Sequence, residues 1–334
     1  RFAFDGENEV AIQGVKNSKN VWNVNARGSR FNGQSIFRGL FKSSNKNALI
    51  RGKWKRKKIN LDLRAEIETV KGYSGAQMQS VSLSMQKRKG ELSSLDIQGT
   101  LPNNASTAAR LVRQQGRGRI ILTETSNAGA AFRLIGLYPS AEGGQASVRV
   151  FLDGEGDVQR TGTLWARDFY VLGDPIVQEV LSSGGSTPFG DGFETPTSAG
   201  SSKKQEIRQR ILFQQLEIPF TVGRGQFVLH NSIINGPLLG ATVRGRVDFE
   251  KEQIDVGGTY VPLYGINSAI GVLPFIGQIL TGRRGEGFLG ITFGIQGKLS
   301  RPQVLVNPMS MVAPGIFRQI FEFGQPPQTL DSRN

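Results

Sequence analysis

The chain of 334 residues contains no cysteine and only one histidine, His230. The missing cysteine excludes disulfides, thiolate zinc sites and cysteine nucleophiles, and a single imidazole excludes a multi-histidine metal site. It does not identify the compartment, because both cytoplasmic and envelope proteins can lack cysteine. We therefore expect neither a metal nor another cofactor.

Motifs typical of nucleotide binding and hydrolysis are missing or stand in the wrong context. Residues 285–290 match GxGxxG, but a dinucleotide-binding fingerprint follows a strand and opens a helix. Here two arginines precede the glycines and a strand-like alternation of Ile291, Phe293 and Ile295 follows. His230 lies in a strand-like stretch with no GxSxG elbow to serve it. We predict a protein that is not an enzyme, although chemistry by carboxylates alone stays open.

Long apolar helices are also missing. Residues 256–282 carry no charge, but their two prolines and six glycines suit a lipid-exposed helix badly. No signal peptide opens the chain, and residues 1–5 resemble the middle of a strand. We interpret the chain as a fragment or processed form of a longer protein.

Glycine, in contrast, is abundant, with 43 residues, roughly twice its usual share. Without a collagen-like triplet, so much glycine indicates many turns and bulges, and therefore a strand-rich fold. Apolar residues make up 38% of the chain and charged residues 20%, which is enough to bury a core. The length fits two domains or one elongated domain.

Alternation with period two supports strands. Apolar residues alternate with polar ones over residues 59–67 and 81–86, and similar runs separated by Gly, Asn or Asp recur toward the C-terminus. The prediction is a mainly β fold, a long twisted antiparallel sheet with one wet face, rather than a doubly wound α/β fold. Short helices are predicted at 128–135, 175–181, 274–280 and 314–321, the first with a stop at Gly136.

Composition also suggests how the chain is divided. Residues 1–124 form a strand-rich segment, 125–323 form the C-terminal domain, and 324–334 form a flexible tail. Residues 182–204 are rich in Gly, Ser, Thr and Pro and are predicted to be a mobile loop within that domain.

The net charge of +14 is concentrated at the N-terminus, where residues 1–70 hold 15 Lys/Arg against 6 Asp/Glu. Residues 51–58 alone contain six cations and Trp54. This pattern fits a nucleic-acid surface, a polybasic segment for anionic lipid, or a solvated edge strand protected by lysines. The candidates for binding anionic headgroups are Lys53, Lys55, Arg56, Lys57 and Lys58.

The second half of the chain carries a resemblance to a known family. Its blocks are residues 127–138 with Gly143 and Gly144, then 258–267, 273–277, 285–288, 302–308 and 313–318. Their order and spacing resemble the C-terminal region of the AsmA-like superfamily, as found in YhdP-type bacterial envelope proteins. The residues that carry the signature are Pro262, Tyr264, Asn267, Pro274, Gly277, Gly285, Gly287, Asn307, Pro308 and Pro314.

The resemblance implies a twisted sheet curled into an open groove, in proteins that bridge the inner membrane and periplasm. Relatives such as YhdP and TamB are implicated in moving phospholipid toward the outer membrane. On that basis we expect a periplasmic protein, tethered to the inner membrane by an N-terminal segment absent from this chain. The candidate groove residues are Leu61, Leu63, Ile67, Val81 and Leu83.

Three functional hypotheses follow, in this order. The first is a non-enzymatic module for phospholipid transport and envelope maintenance, with phospholipid, a membrane surface and envelope proteins as partners. The second is a structural scaffold or adaptor that assists the assembly of outer-membrane proteins. The third, a nucleic-acid binder, rests on residues 51–58 alone. Whether the apolar face forms an open groove or a filled core stays open at this point.

Overall fold

In the part of the chain that the structure describes, fifteen strands form one sheet, and their order in the sheet follows their order in the chain. The computed structural model describes residues 8–41, 59–114, 118–153, 159–178, 210–223, 225–237, 239–262 and 291–307. The strands are β1 Glu9–Lys16, β2 Val21–Asn32, β3 Asn60–Lys71, β4 Gln77–Arg88, β5 Glu91–Leu101, β6 Ala105–Gln114, β7 Gly118–Thr125, β8 Ala141–Phe151, β9 Gln159–Leu172, β10 Arg210–Gly223, β11 Gln226–Asn235, β12 Leu239–Asp248, β13 Gln253–Pro262, β14 Ile291–Lys298 and β15 Arg301–Asn307; the helices are α1 Gln34–Phe41 and α2 Ala128–Ile135.

The prediction of a mainly β fold with a long antiparallel sheet and few short helices is confirmed. The sheet is open, because β1 and β15 are its edges and do not pair with each other. One pairing departs from the antiparallel arrangement, since β2 and β3 run parallel. Parallel neighbours begin at the same end of the sheet. The chain must therefore return to that end after β2 before β3 can begin. Residues 124 and 125, between which the sequence places the end of the strand-rich segment and the start of the C-terminal domain, both belong to β7. The sheet is continuous across that position.

Helix α2 has the predicted bounds. The side chain of Asn127 caps its start by accepting a hydrogen bond from the Ala130 N–H at 3.0 Å. Gly136 ends it in the left-handed conformation, with φ of 72°. The described part of the second predicted helix, residues 175–178, is helical. The other two predicted helices, the 182–204 loop and the tail lie outside the described residues, whereas α1 was not predicted.

Register places apolar side chains of successive strands on one side of the sheet, which we call the apolar face. Because side chains alternate along a strand, directly opposite residues share a face. One row of direct partners on this face crosses the first nine strands; it comprises Ile12, Ala26, Ala65, Leu83, Ile97, Ala109, Thr123, Val148 and Leu164.

Helix α2 packs on the apolar face at one set of strand ends. Ala130 and Leu134 of α2 form a buried cluster with Met78 at the start of β4 and Leu101 at the end of β5, among others. Phe37 of α1 packs against the same cluster. We call the margin of the sheet at which β3 and β5 end the helix rim. The margin at which these two strands begin is the open rim. The helices therefore cover the apolar face along the helix rim.

Gly129 is the closest approach of α2 to the sheet, and it gives a test of this packing. A Cβ at position 129 would lie 2.5 Å from the Glu142 Cα and 2.6 Å from the Ala141 carbonyl oxygen. Gly129→Ala should therefore lower the free energy of unfolding by about 1–3 kcal/mol, although alanine is the better helix former by about 1 kcal/mol. Urea denaturation measures the difference.

Gly39 of α1 is the matched control, because a Cβ there meets no atom within 4 Å. Gly39→Ala should leave the stability unchanged or raise it by up to about 1 kcal/mol. If Gly129→Ala stabilises the protein as Gly39→Ala does, α2 does not pack against β8 as described.

A buried hydrogen bond fastens the chain after α2. The Tyr138 hydroxyl donates to Asp174 Oδ2 at 2.7 Å, and Asp174 Oδ1 accepts from the N–H groups of Ile176 and Val177 at 3.0 and 3.1 Å. Burial, and after it the negative charge of Asp174, raises the pKa of Tyr138 well above its usual value. The phenol therefore stays protonated and keeps donating over a wide pH range.

Removing this hydroxyl should have a pH-dependent effect. Tyr138→Phe leaves a buried carboxylate oxygen without its donor and should cost about 1–3 kcal/mol of stability at neutral pH. Because the pKa of Tyr138 is raised by folding, its contribution is complete below pH 10.0, the ordinary value, and declines at higher pH as the unfolded phenol ionises. The gap between wild type and variant in urea denaturation should therefore narrow above that pH. A gap that stays constant to pH 11 would contradict this role.

Candidate functional site

The five residues predicted to line a groove lie together on the apolar face. Ile67 stands directly opposite Val81, while Leu63 and Leu83 occupy neighbouring rows opposite Met85 and Ala65. Leu61 lies one row further toward the open rim. Ile67 is buried and the other four are half-buried. The sequence pattern therefore identified residues that share one continuous surface.

This surface extends to strands that the sequence did not identify. On one side it continues through Trp22, Val24 and Ala26 of β2, which pair with Leu61, Leu63 and Ala65. On the other it continues through Leu95 and Ile97 of β5, which pair with Met85 and Leu83. The signal in β2 was present, because these residues alternate with asparagine, but its polar composition hid it.

The apolar face changes from a surface into a core along the sheet. At the N-terminal strands it is partly open, with Ile12 39% and Trp22 42% exposed. At the later strands the same face is buried, with Leu164 4% and Ile291 1% exposed. A cluster of buried residues there spans β9 to β14 and includes stacked rings of Phe169 and Phe213, whose centroids lie 5.4 Å apart. The open-groove and filled-core descriptions thus each fit a different part of the sheet.

The opposite face is mostly polar, although Ile120 is buried there between its direct partners Val112 and Phe151. Cross-strand ion pairs join Arg27 to Glu66 at 3.0 Å and Arg110 to Asp96 at 3.4 Å. A shallow depression of about 820 Å³ lies on this side and is lined mainly by hydroxyl, amide and charged side chains of β4–β9. Its Trp165 ring is stacked under the Arg149 guanidinium, 5.3 Å from the ring centroid. Because most side chains of this lining are polar, we place the candidate site on the apolar face.

The described part of the chain contains little that points to catalysis. His230 lies in β11, as predicted, is exposed, and places Nε2 2.8 Å from Thr221 Oγ1. Among the described residues, no group of three or more His, Cys, Asp or Glu side chains is arranged to hold a metal ion. None of the described helices is long and apolar enough to span a membrane.

Several sequence-predicted residues fall outside the description. They are the headgroup candidates Lys53, Lys55, Arg56, Lys57 and Lys58, and the signature residues Tyr264, Asn267, Pro274, Gly277, Gly285, Gly287, Pro308 and Pro314. Pro262 is the last residue of β13, and Asn307 ends β15 opposite Thr292. Their predicted roles stay predictions.

No protein-family model, curated protein or solved structure matches this chain. The apolar face is therefore interpreted from its own geometry, and membership of the AsmA-like superfamily stays a prediction based on the sequence blocks. What the geometry offers chemically is a broad apolar surface with one covered rim and one open rim.

Two leucines on the apolar face test its change from surface to core. Leu164→Ala should cost about 2–5 kcal/mol, because it leaves a cavity among buried residues. Leu63→Ala removes the same atoms from a half-buried site that water or neighbours can refill, and should cost less than about 2 kcal/mol. Chemical denaturation of both variants measures the difference. Equal costs would mean that β3 lies in a core as tightly packed as that of β9.

Proposed function

We propose that this chain is a non-enzymatic module of phospholipid transport and envelope maintenance. In this proposal the sheet curls into a groove whose apolar face shields acyl chains between the inner and outer membrane. The observation that carries it is the half-exposed apolar surface over β2–β5, formed by residues such as Trp22, Val24, Leu63 and Leu83. A soluble protein seldom keeps such a continuous apolar patch unless something binds there.

The energetics of lipid transfer match such a surface. Moving a two-chain phospholipid through water exposes about thirty methylene groups at about 0.8 kcal/mol each, or roughly 25 kcal/mol. An apolar surface that covers even part of each chain removes a large share of this barrier. Aliphatic side chains without specific polar contacts also let the chains slide, so broad and shallow binding suits transport better than a deep pocket.

The family resemblance supports the cellular setting of the proposal. If the blocks over residues 258–318 reflect AsmA-like ancestry, the module works in the periplasm and is tethered to the inner membrane. Its partners are then phospholipid, the membrane surface and other envelope proteins. The basic residues 53–58 are proposed to attract anionic headgroups.

A charge placed on the apolar face should abolish lipid binding. Leu83→Glu puts a carboxylate in the middle of the half-buried surface, where hydrocarbon would otherwise lie. The purified chain is incubated with palmitoyl-oleoyl phosphatidylglycerol and analysed by native mass spectrometry without detergent. We expect one or more lipids per wild-type chain and at least a tenfold loss for Leu83→Glu, because a carboxylate in hydrocarbon costs several kcal/mol.

Ser84→Glu is the matched control, since it adds the same charge one residue away on the exposed, polar face. It should bind lipid as wild type does, and circular dichroism checks that both variants are folded. A folded wild-type chain that takes up no added phospholipid would overturn the proposal. The scaffold or adaptor function would then be favoured, with the apolar surface covered by a protein partner.

A further inference from the structure

Cationic side chains stand at the end of the apolar face nearest the open rim. The outermost row of direct partners on β1–β4 consists of Lys16, Trp22, Leu61 and Lys87. A cation therefore lies at each end of this four-residue row, with two apolar residues between them. One row inward, the partners Gly14, Val24, Leu63 and Met85 carry no charge.

The same arrangement continues on the next strands. Arg113 of β6 and Arg119 of β7 are direct partners on the apolar face. They lie one row closer to the open rim than the partners Leu111 and Ile121. On β9, Arg160 precedes Gly162 on this face and pairs with Val222. From β1 to β9 the apolar surface is thus bordered at the open rim by five cations.

Four of these cations have no ion-pair partner among the described residues. Lys16, Arg113 and Arg160 are exposed, and Lys87 is half-buried opposite Leu61. Arg119 is already engaged, because it pairs with Asp153 and with Glu91. A further carboxylate at this rim, Asp62, is paired with Arg88. Arg119, followed by Arg113, holds the pKa of Asp153 below its usual range. The charges of Lys16, Lys87, Arg113 and Arg160 are therefore not paired by any carboxylate among the described residues.

The two rims differ in a way that would orient a lipid. The helix rim is closed by the buried cluster of α1 and α2, whereas the open rim carries the cations. Between the two rims, the stretch of β3 from Leu61 to Ile67 spans six residue steps, or about 20 Å of extended strand. A leaflet's share of the hydrocarbon core is about 15 Å, so an acyl chain fits between the rims.

We propose that Lys16, Lys87, Arg113 and Arg160 form a binding site for the phosphate-bearing headgroups of glycerophospholipids. This inference rests on the proposed function, because it assumes that acyl chains occupy the apolar face. Each lipid lies with its phosphate at the open rim and its chain ends toward α2. The Lys and Arg stems lie along the neighbouring apolar side chains while their charged ends meet phosphate and water. The site selects phospholipids over uncharged diacyl lipids.

The test compares two lipids that differ in the headgroup. The full chain is titrated with palmitoyl-oleoyl phosphatidylglycerol and with palmitoyl-oleoyl glycerol, which has the same chains but no phosphate. In the variant Lys16→Gln, Lys87→Gln, Arg113→Gln, Arg160→Gln, binding of phosphatidylglycerol should weaken at least about tenfold, since each cation near an anionic lipid contributes to attraction. Binding of the uncharged lipid should change less than about twofold.

A second variant controls for the loss of overall charge. Arg64→Gln, Arg167→Gln, Arg244→Gln, Lys298→Gln removes four exposed cations from the polar face. It should bind both lipids as wild type does. If it loses phosphatidylglycerol as strongly as the rim variant, or if the rim variant still binds it normally, the proposed headgroup site is wrong. If wild type binds neither lipid, the proposed function itself fails.

Salt dependence tests the site even if the fourfold variant does not fold. In wild type, affinity for phosphatidylglycerol should fall several-fold between low and high ionic strength, while affinity for the uncharged lipid should not fall. The double variant Lys16→Gln, Lys87→Gln should flatten this dependence. An equal salt response for both lipids would overturn the headgroup site while leaving acyl-chain binding intact.

Discussion

A single-layered sheet has two faces. Its polar face can be exposed to water, but its apolar face is stable only where another element or a ligand covers it. In a sandwich a second sheet does this, and in α/β folds helices do. Among the described residues, α1 and α2 pack on the apolar face at the helix rim, and the later strands bury their apolar residues in one large cluster. The strands near the N-terminus keep the same alternation but remain half-exposed. The functional interpretation depends on this unequal covering.

Register makes the unequal covering possible. Because the strands pair so that most residues opposite one another on this face are apolar, the face continues from Ile12 and Ala26 in β1 and β2 to Phe293 and Val306 in β14 and β15. A slip of one residue in the register of any strand would move its apolar side chains to the opposite face of the sheet. Exposed ion pairs such as that between Arg27 and Glu66 favour the correct register but add little stability. Packing at α2 and in the C-terminal cluster therefore has to supply most of the stability.

The sequence predicted β3 and β4 but missed β2, which alternates with asparagine, and β10. β3 and β4 were found because each alternates strictly over much of its length. In β10, Phe213 and Leu216 are three residues apart and Pro219 stands inside the strand, which argues against a central strand. Pro219 lies where the register with β11 is irregular, between Glu217 and Phe220. The change of face between Phe213 and Leu216 lies opposite Asp168 of β9, whose φ is 53°. Such bulges depend on the partner strand, so one strand's sequence does not reveal them.

The candidate site shows the same division. Leu61, Leu63 and Leu83 were identified from their own strands, because burial of one face leaves a local period of two. Their neighbours Trp22 and Val24 belong to β2, whose parallel pairing with β3 depends on a crossover rather than on a hairpin. The cations Lys16 and Lys87 look like ordinary solvated residues in the sequence. Only the register of four strands places them at the two ends of one row.

Strand order that follows chain order also has a consequence for how the molecule forms and changes. Each described strand pairs with the strands adjacent to it in the sequence, and only β2 and β3 among them run parallel. Contacts between sequence neighbours close short loops, so assembly can spread from one hairpin to the next, as it does in repeat proteins. Inserting one hairpin would lengthen the sheet by about 10 Å and leave every other pairing unchanged. The length of the apolar face across the strands can therefore change in evolution by two strands at a time.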